Sequence, residues 1–286
     1  MKFRFIEDRR ADYSVTFLCE VLGVSASGYY AWRSRPESER AAANHRLTVE
    51  IRRVYRDSGG RYGSPRVHAV LRAQGRGVSR GRIERLMRAQ GIRAITAWPR
   101  RVRTTDSRHS LPVAPNLIER TFATTAPDRL WLADITYIPT AEGWLYLAAV
   151  MDLYSRKIVG WAMRDHLRTE LPLAALMMAI QRQRPGAGLI HHSDRGVQYA
   201  SEGYRAVLQS EGIRPSMSRK GDCLDNAPME SFFHTLKTEL VHQRRYATRA
   251  EAERDLFAFI EGFYNRKRIH SGIGYKTPIE MERAAS

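Results

Sequence analysis

Trp131-Leu132-Ala133-Asp134-Ile135-Thr136-Tyr137 sets one carboxylate inside a run that is otherwise apolar, aromatic or β-branched. Such a run reads as a buried strand. An unpaired charge there costs several kcal/mol, so Asp134 demands a metal ion or a cationic side chain beside it.

Two further acidic residues fit the same demand. Asp194, in His192-Ser193-Asp194-Arg195-Gly196, directly follows the short apolar run 189–192. That places it at the carboxyl end of a strand, where open α/β sheets bind ligands. Glu230, in Asp225-Asn226-Ala227-Pro228-Met229-Glu230, follows after 35 intervening residues, in the first turns of a helix that Asp225 or Asn226 can cap. On that helix Met229, Phe232, Phe233, Leu236 and Leu240 form a core-facing stripe, and Glu230, His234 and Lys237 share the neighbouring one. Lys237 is thereby set for a phosphate. A few carboxylates make a site for Mg²⁺ that leaves coordination positions open to phosphate oxygens and water. His192 beside Asp194 reads as a residue that orients phosphate or water. His191-His192 has no second pair at zinc-ligand spacing.

The flanking sequence supplies a scaffold. Residues 130–138 and 144–153 read as strands joined at Glu142-Gly143, and 158–163 as a third. A helix over 169–184 stops at Pro185-Gly186. Strand 189–192 follows, then a helix capped by Ser201 and ending at Gly212, an edge strand over 214–218, and the Glu230 helix. The order predicts an α/β fold, an open mixed sheet flanked by helices. The loop from Gly221 to Asp225 reads either as one that orders over DNA or as plain surface.

Ahead of this core the chain is basic and helical. Residues 14–33 form a helix-turn-helix pattern around Gly23-Val24-Ser25, or an ordinary helical hairpin built on Leu18, Val21 and Leu22. Helices are expected over 47–57, 64–73 and 79–90, with Ser64 and Ser79 as caps. In the last of these Ile83, Leu86 and Met87 form the buried stripe, while Arg80, Arg82, Arg85 and Arg88 lie on the other faces, for DNA or for solvent. Arg100, Arg101 and Arg103 sit in a basic linker able to follow a phosphate backbone. The expected divisions are a helix-turn-helix-like segment over 1–44, a second helical DNA-binding unit over 45–92, a linker over 93–122, and a core with a C-terminal helical extension over 123–286.

The charge agrees. The net charge is +17, and residues 1–110 hold 24 Lys and Arg against 10 Asp and Glu, which points to a nucleic-acid partner. Cys19 and Cys223 lack CxxC spacing, and no apolar run approaches a membrane span, so an intracellular chain without membrane attachment is expected.

An ordered set of motifs carries a resemblance: Leu22-Gly23-Val24-Ser25, Arg61-Tyr62-Gly63-Ser64-Pro65-Arg66, Pro115-Asn116-Leu117, Trp131 to Tyr137, Trp144-Leu145-Tyr146-Leu147, Asp152-Leu153-Tyr154-Ser155-Arg156, His192 to Gly196, Asp225-Asn226-Ala227 with Glu230 and Lys237, and Tyr264-Asn265 to Tyr275-Lys276-Thr277-Pro278. With these the chain resembles the integrase-core (DDE) transposases of bacterial insertion sequences, the second-reading-frame type, relatives of retroviral integrases. The resemblance implies a ribonuclease-H-like core in which Asp134, Asp194 and Glu230 bind two Mg²⁺ or Mn²⁺ ions. It also implies DNA strand cleavage by water and transfer by a 3′-hydroxyl, with Asn226 among the DNA-facing residues. The partners it implies are double-stranded DNA, further copies of the chain assembled on it, and an upstream-frame fusion segment; the setting is the bacterial cytoplasm and nucleoid. No zinc-binding His/Cys pairs stand at the amino end, and no zipper precedes residue 14. A ribonuclease-H-type nuclease and a DNA-binding regulator on an inactive core are the rival readings.

Overall fold

The computed structural model describes residues 1–96, 111–219 and 223–285. The chain forms two compact units, Met1–Arg53 and Val54–Ser286.

The first unit holds α1 (Lys2–Arg9), α2 (Val15–Leu22), α3 (Ala26–Ser34) and most of α4 (Glu39–Asp57). Gly23 ends α2 in the left-handed conformation at φ 61°, which glycine adopts without a Cβ clash, and Ser25 caps α3 by accepting from the Gly28 amide at 3.0 Å. The core is Ile6, Leu18, Cys19 and Tyr29; Val21 is exposed, because the third partner is α1 rather than the outer face of α2. Helix α4 starts at Glu39 rather than 47: Ser38 accepts from the Ala41 amide, and Ala41-Ala42-Ala43 are strong helix formers.

The second unit is built on a five-stranded sheet of order β3-β2-β1-β4-β5. Its strands are β1 (Leu130–Thr140), β2 (Gly143–Asp152), β3 (Ile158–Arg164), β4 (Ile190–Ser193) and β5 (Arg214–Met217). β1, β2 and β3 pair antiparallel in sequence, whereas β1–β4 and β4–β5 pair parallel. This is the expected mixed sheet. One face is covered by α7 (Glu170–Gln183), α8 (Val197–Ala200) and α9 (Glu202–Ser210). On the other lie α10 (Ala227–Glu239), α11 (Arg249–Phe257) and a π-helical turn over Ala258–Tyr264, followed by α12 (Pro278–Arg283). The expected stripe of α10 is the buried one: Met229, Phe232, Phe233, Leu236 and Leu240 all lie in the core. Among the described residues no helix is long and apolar enough to cross a membrane.

Helices α5 (Ser64–Ala73) and α6 (Arg80–Ala89) belong to this second unit; the division falls at residue 53, inside α4. The segment before α5 is pinned to the C-terminal extension. Tyr62 Oη donates to the Lys267 carbonyl at 2.9 Å, and Arg61 lies over the Phe263 ring at 4.5 Å while its Nε donates to the Glu239 carbonyl. Gly63, not Ser64, is the N-cap of α5, since Pro65 sits one step into the helix and Ser64 already has helical geometry. Ser79 and Ser201 cap α6 and α9 as expected. Of the expected linker, residues 97–110 and with them Arg100, Arg101 and Arg103 lie outside the described residues. Residues 111–122 are not a free basic strand: Ile118 is buried in the sheet core and Leu111 and Ala114 pack on the other face.

Gly160 decides how closely α7 meets the sheet. A Cβ there would stand 2.1 Å from the Ala175 carbonyl oxygen and 2.7 Å from the Ala179 amide nitrogen, both backbone atoms. Gly160→Ala forces the helix off β3 and is expected to destabilise the chain by at least about 3 kcal/mol, the upper end for overpacked cores. Gly203→Ala, inside α9 with nothing within 4 Å, is expected to be neutral or stabilising. Urea unfolding of the two variants against the parent checks the pair.

Candidate active site

Strand pairing places the first two carboxylates. β1 and β4 run parallel through Leu130↔Ile190, Trp131↔His191 and Leu132↔His192, and then their ladder ends. Two residues beyond the last pair, on each strand, stand Asp134 and Asp194. Both project from the carboxyl ends of paired segments at the point where the sheet changes from antiparallel to parallel, the usual ligand position of such sheets.

Local bonds fix each group. Asp134 Oδ1 accepts from the Ile135 amide at 2.7 Å. Asp194 Oδ1 accepts from the Gly196 amide at 2.9 Å, and a Cβ on Gly196 would come within 3.0 Å of that same oxygen. Glu230 arrives on α10, whose entry is tied to β1 by Asn226: its buried Nδ2 donates at 3.1 Å to the carbonyl of Ala133, the residue before Asp134. Glu230 itself is exposed.

The Asp134 carboxyl senses both of the other two. Burial holds the Asp134 carboxyl well above the usual carboxylate range, and Asp194 and then Glu230 push it further, while the Ile135 amide and Lys237 oppose. Lys237 is half-buried; desolvation lowers its ammonium and Asp134 raises it. Among the described residues no three His, Cys, Asp or Glu side chains close tightly enough on one point to enclose an ion. The donor chemistry nevertheless suits a hard divalent cation: the groups acting on the Asp134 carboxyl include the oxygen donors Asp194 and Glu230, and a divalent ion would neutralise their charge.

Two residues expected at the DNA face are placed elsewhere. His192 is fully buried, and its ring nitrogens are both engaged, Nδ1 with Ser216 Oγ at 2.9 Å and Nε2 with Ser218 Oγ at 3.0 Å. Burial lowers its pKa to about 4, so it is a neutral strut between β4 and the chain of β5, with no nitrogen left for phosphate. Its neighbour His191 is buried against Tyr204 Oη at 3.0 Å. Asn226 is likewise a tie between strand and helix, and it does not cap α10 with its side chain; nor does Asp225. On α6, Arg80 and Arg85 are exposed and Arg82 half-buried, with Ile83 and Met87 inward and Leu86 only half-buried.

The structure also shows residues that the sequence named only inside motifs. Asp225 is completely buried and accepts from the Arg219 amide, Arg219 Nε and Nη2, Arg120 Nε and Asn116 Nδ2, at 2.8 to 3.1 Å. The Arg219 hydrogen bonds hold it well below the usual carboxylate range. Asn116 and Arg120 thus lock residues 111–122 against the entry of the Glu230 helix. Beside the carboxylates, Tyr137 faces Tyr146 across β1 and β2 with rings 5.1 Å apart, and Trp144, 52% exposed, lies 6.0 Å from Tyr137. Aromatic residues in a strand signal a core as readily as a surface platform, so the pattern alone did not single them out.

With this geometry in view, the family comparisons decide the matter. The integrase core domain family matches residues 124–223, a second integrase core domain family matches 211–278, and an HTH-like domain family matches 42–101. The chain is 41% identical to the transposase InsF of insertion sequence IS3A from Escherichia coli strain K12, over 99% of this chain and 98% of that one. The chain belongs to the insertion-sequence transposases. It is also 47% identical to an uncharacterized 31 kDa protein of insertion element IS600 from Shigella sonnei, over 91% of this transposase and 96% of that protein. Among solved structures, the simian T-cell lymphotropic virus intasome in complex with a PP2A regulatory subunit is similar at a TM-score of 0.48 and 14% identity, covering 81% of this chain and 74% of that one.

The raised Asp134 carboxyl has a thermodynamic consequence. The native state holds its proton to higher pH than the unfolded chain does, so ionisation on raising the pH costs native stability. Asp134→Asn is expected to melt several degrees above the parent at pH 7 without divalent ions. The gap should close below about pH 4, where both states carry the proton. Calorimetric melting across pH checks it; a gap that does not change with pH contradicts the raised carboxyl.

Proposed function

We propose that this transposase cuts and joins DNA strands by in-line phosphoryl transfer, with Asp134, Asp194 and Glu230 as ligands of two divalent cations, Mg²⁺ or Mn²⁺. The observation that supports the reading is the placement of Asp134 and Asp194 two residues beyond the last β1–β4 pair, together with the electrostatic influence of Asp194 and of Glu230 from α10 on the Asp134 carboxyl. When bound, such ions supply activation of the attacking hydroxyl and neutralisation of phosphate charge.

The chain's own groups do the rest. Lys237, within electrostatic reach of Asp134, holds a phosphate oxygen of the strand being joined. Asn226 keeps the helix of Glu230 in register with the strand of Asp134. Tyr137, Tyr146 and Trp144 offer ring faces on which bases unpaired at the cut can stack. A covalent protein–DNA intermediate is disfavoured. Ser193 is buried with its hydroxyl given to the Asp194 carbonyl, and burial, Tyr146 and the neighbouring carboxylates raise the Tyr137 phenol.

Double-stranded DNA, both element ends and target, is the proposed partner, with further copies of the chain assembled on it and an upstream-frame segment fused ahead of it. The bacterial cytoplasm and nucleoid is the proposed place. Arg80, Arg82 and Arg85 on α6, with Arg100, Arg101 and Arg103 of the linker, are the proposed phosphate contacts.

Asp134→Asn, Asp194→Asn and Glu230→Gln are each expected to lower nicking and joining by at least about 10²-fold, the scale of losing one group that stabilises transition-state charge. Gel-shift affinity should stay near the parent's. Lys237→Ala should slow joining of a pre-cut end by about tenfold at saturating Mg²⁺, close to 1.4 kcal/mol. Near-normal turnover of any carboxylate variant removes that residue from the ligand set.

A further inference from the structure

The second unit contains a cavity of about 280 Å³ whose lining includes none of the three carboxylates. Arg66 of α5, Arg156 of the β2–β3 turn, Arg268 and His270 beyond the π-helical turn, and Ser231 and Thr235 of α10 are among its lining residues, and none of the lining residues is acidic. A pocket of guanidinium and hydroxyl groups is matched by a phosphate, whose oxygens take paired N–H donors.

The state of each cation sharpens this. Arg268 is buried and compensated, its Nη2 2.7 Å from Glu239 Oε1. Arg66 and Arg156 are half-buried, and among the described residues neither has a carboxylate within ion-pair distance; Arg66 donates from Nε to the Ile269 carbonyl at 3.2 Å. Burial lowers both guanidiniums, with Glu239 opposing at Arg66 and Asp152 at Arg156, and two such groups held partly out of water without a carboxylate in direct contact are costly in a fold that gains nothing from them. His270 is 9% exposed, and among the described residues its buried Nε2 has no hydrogen-bond partner. Burial, then Arg268, Arg66 and Arg156, drive its pKa down to about 3, an independent sign that all three cations bear on one spot.

The backbone is also bent to the task. Arg156 sits at φ 63°, a conformation non-glycine residues rarely adopt. Asp152 enforces it: its Oδ2 accepts from the Ser155 amide and hydroxyl, its Oδ1 accepts from the Asp128 amide, and its carbonyl accepts from the Arg156 amide at 2.8 Å. A buried carboxylate is thus used to hold an arginine in a strained turn at the cavity wall.

We propose that this cavity is a phosphate-binding site, in which Arg66, Arg156 and His270 close around one phosphate group, with the Ser231 and Thr235 hydroxyls as further partners. The phosphate belongs either to a DNA strand or to a free nucleotide. The site needs no cleavage chemistry, so it stands or falls separately from the carboxylate assignment.

The test uses the full chain and inorganic phosphate. Melting temperature is followed against phosphate, with chloride at matched ionic strength as reference, in the parent, in Arg156→Asn and in Arg66→Gln. Asparagine tolerates the left-handed conformation, so the first variant keeps the turn and removes the charge; the second leaves the turn untouched. A saturable rise in the parent, with apparent affinity at least tenfold weaker in both variants, is the expected result. No saturable rise in the parent, or the same rise in both variants, overturns the proposal. Competition then identifies the source. Displacement of phosphate by a 5′-phosphorylated oligonucleotide but not by its 5′-hydroxyl twin supports a strand terminus, displacement by both supports the backbone, and displacement by ATP alone supports a free nucleotide; displacement by none of them contradicts the site.

Discussion

The burial of the Asp134 carboxyl beside Asp194 and Glu230 is the constraint on which the rest of this structure depends. A buried carboxyl with others beside it takes up a proton or moves away, and the Asp134 carboxyl is raised first by its burial and then by Asp194 and Glu230. The fold must therefore hold the strands and the helix that bear them by interactions remote from the charges. The central parallel pair supplies the first hold, because β1 and β4 are locked by three residue pairs immediately before they part. The buried His192, bonded on both sides to Ser216 and Ser218, keeps β4 and β5 in place beneath Asp194.

The third carboxyl is held by a longer chain of support. Asn226 ties α10 to the carbonyl next to Asp134, and Asp225 draws Arg219, Arg120 and Asn116 into a knot at the helix entry. At the other end of α10, Glu239 and Arg268 form a buried ion pair that joins the helix to the C-terminal extension. Such pairs gain little net stability, but breaking one partner leaves a buried charge, which makes the junction specific. Asn265 clamps both backbone groups of Ile158 at 2.9 Å and so closes the exposed side of edge strand β3. The Arg61-Tyr62-Gly63-Ser64-Pro65-Arg66 motif bonds to this same extension, so α5 and the sheet of the second unit share one scaffold.

Much of this was legible in the sequence because it is written in short-range pattern. The β1 run, the strand end at Asp194 and the stripe of α10 follow from periodicity, and with them the mixed sheet and the three acidic positions. Residues whose meaning is a distant partner were not legible that way. His192 and Asn226 look like polar residues of a site, yet their partners lie 24 and 93 residues away. Residues 111–122 lack an apolar period because single residues, Ile118 foremost, anchor an irregular segment. Asp152, Asp225 and Arg268 stood in quoted motifs, but only the folded chain shows that they are internal struts rather than surface charges.

The central claim is that these three carboxylates form one cation site. Uptake of Mn²⁺ by the full-length chain, read from the loss of the free ion's paramagnetic resonance signal, tests it most directly. Saturable uptake by the parent, reduced by at least about tenfold in affinity when Asp134, Asp194 or Glu230 is made neutral and unchanged in a variant lacking an exposed acidic residue such as Glu84, is the predicted result. Equal uptake by the parent and by the Asp134→Asn, Asp194→Asn double variant would contradict it.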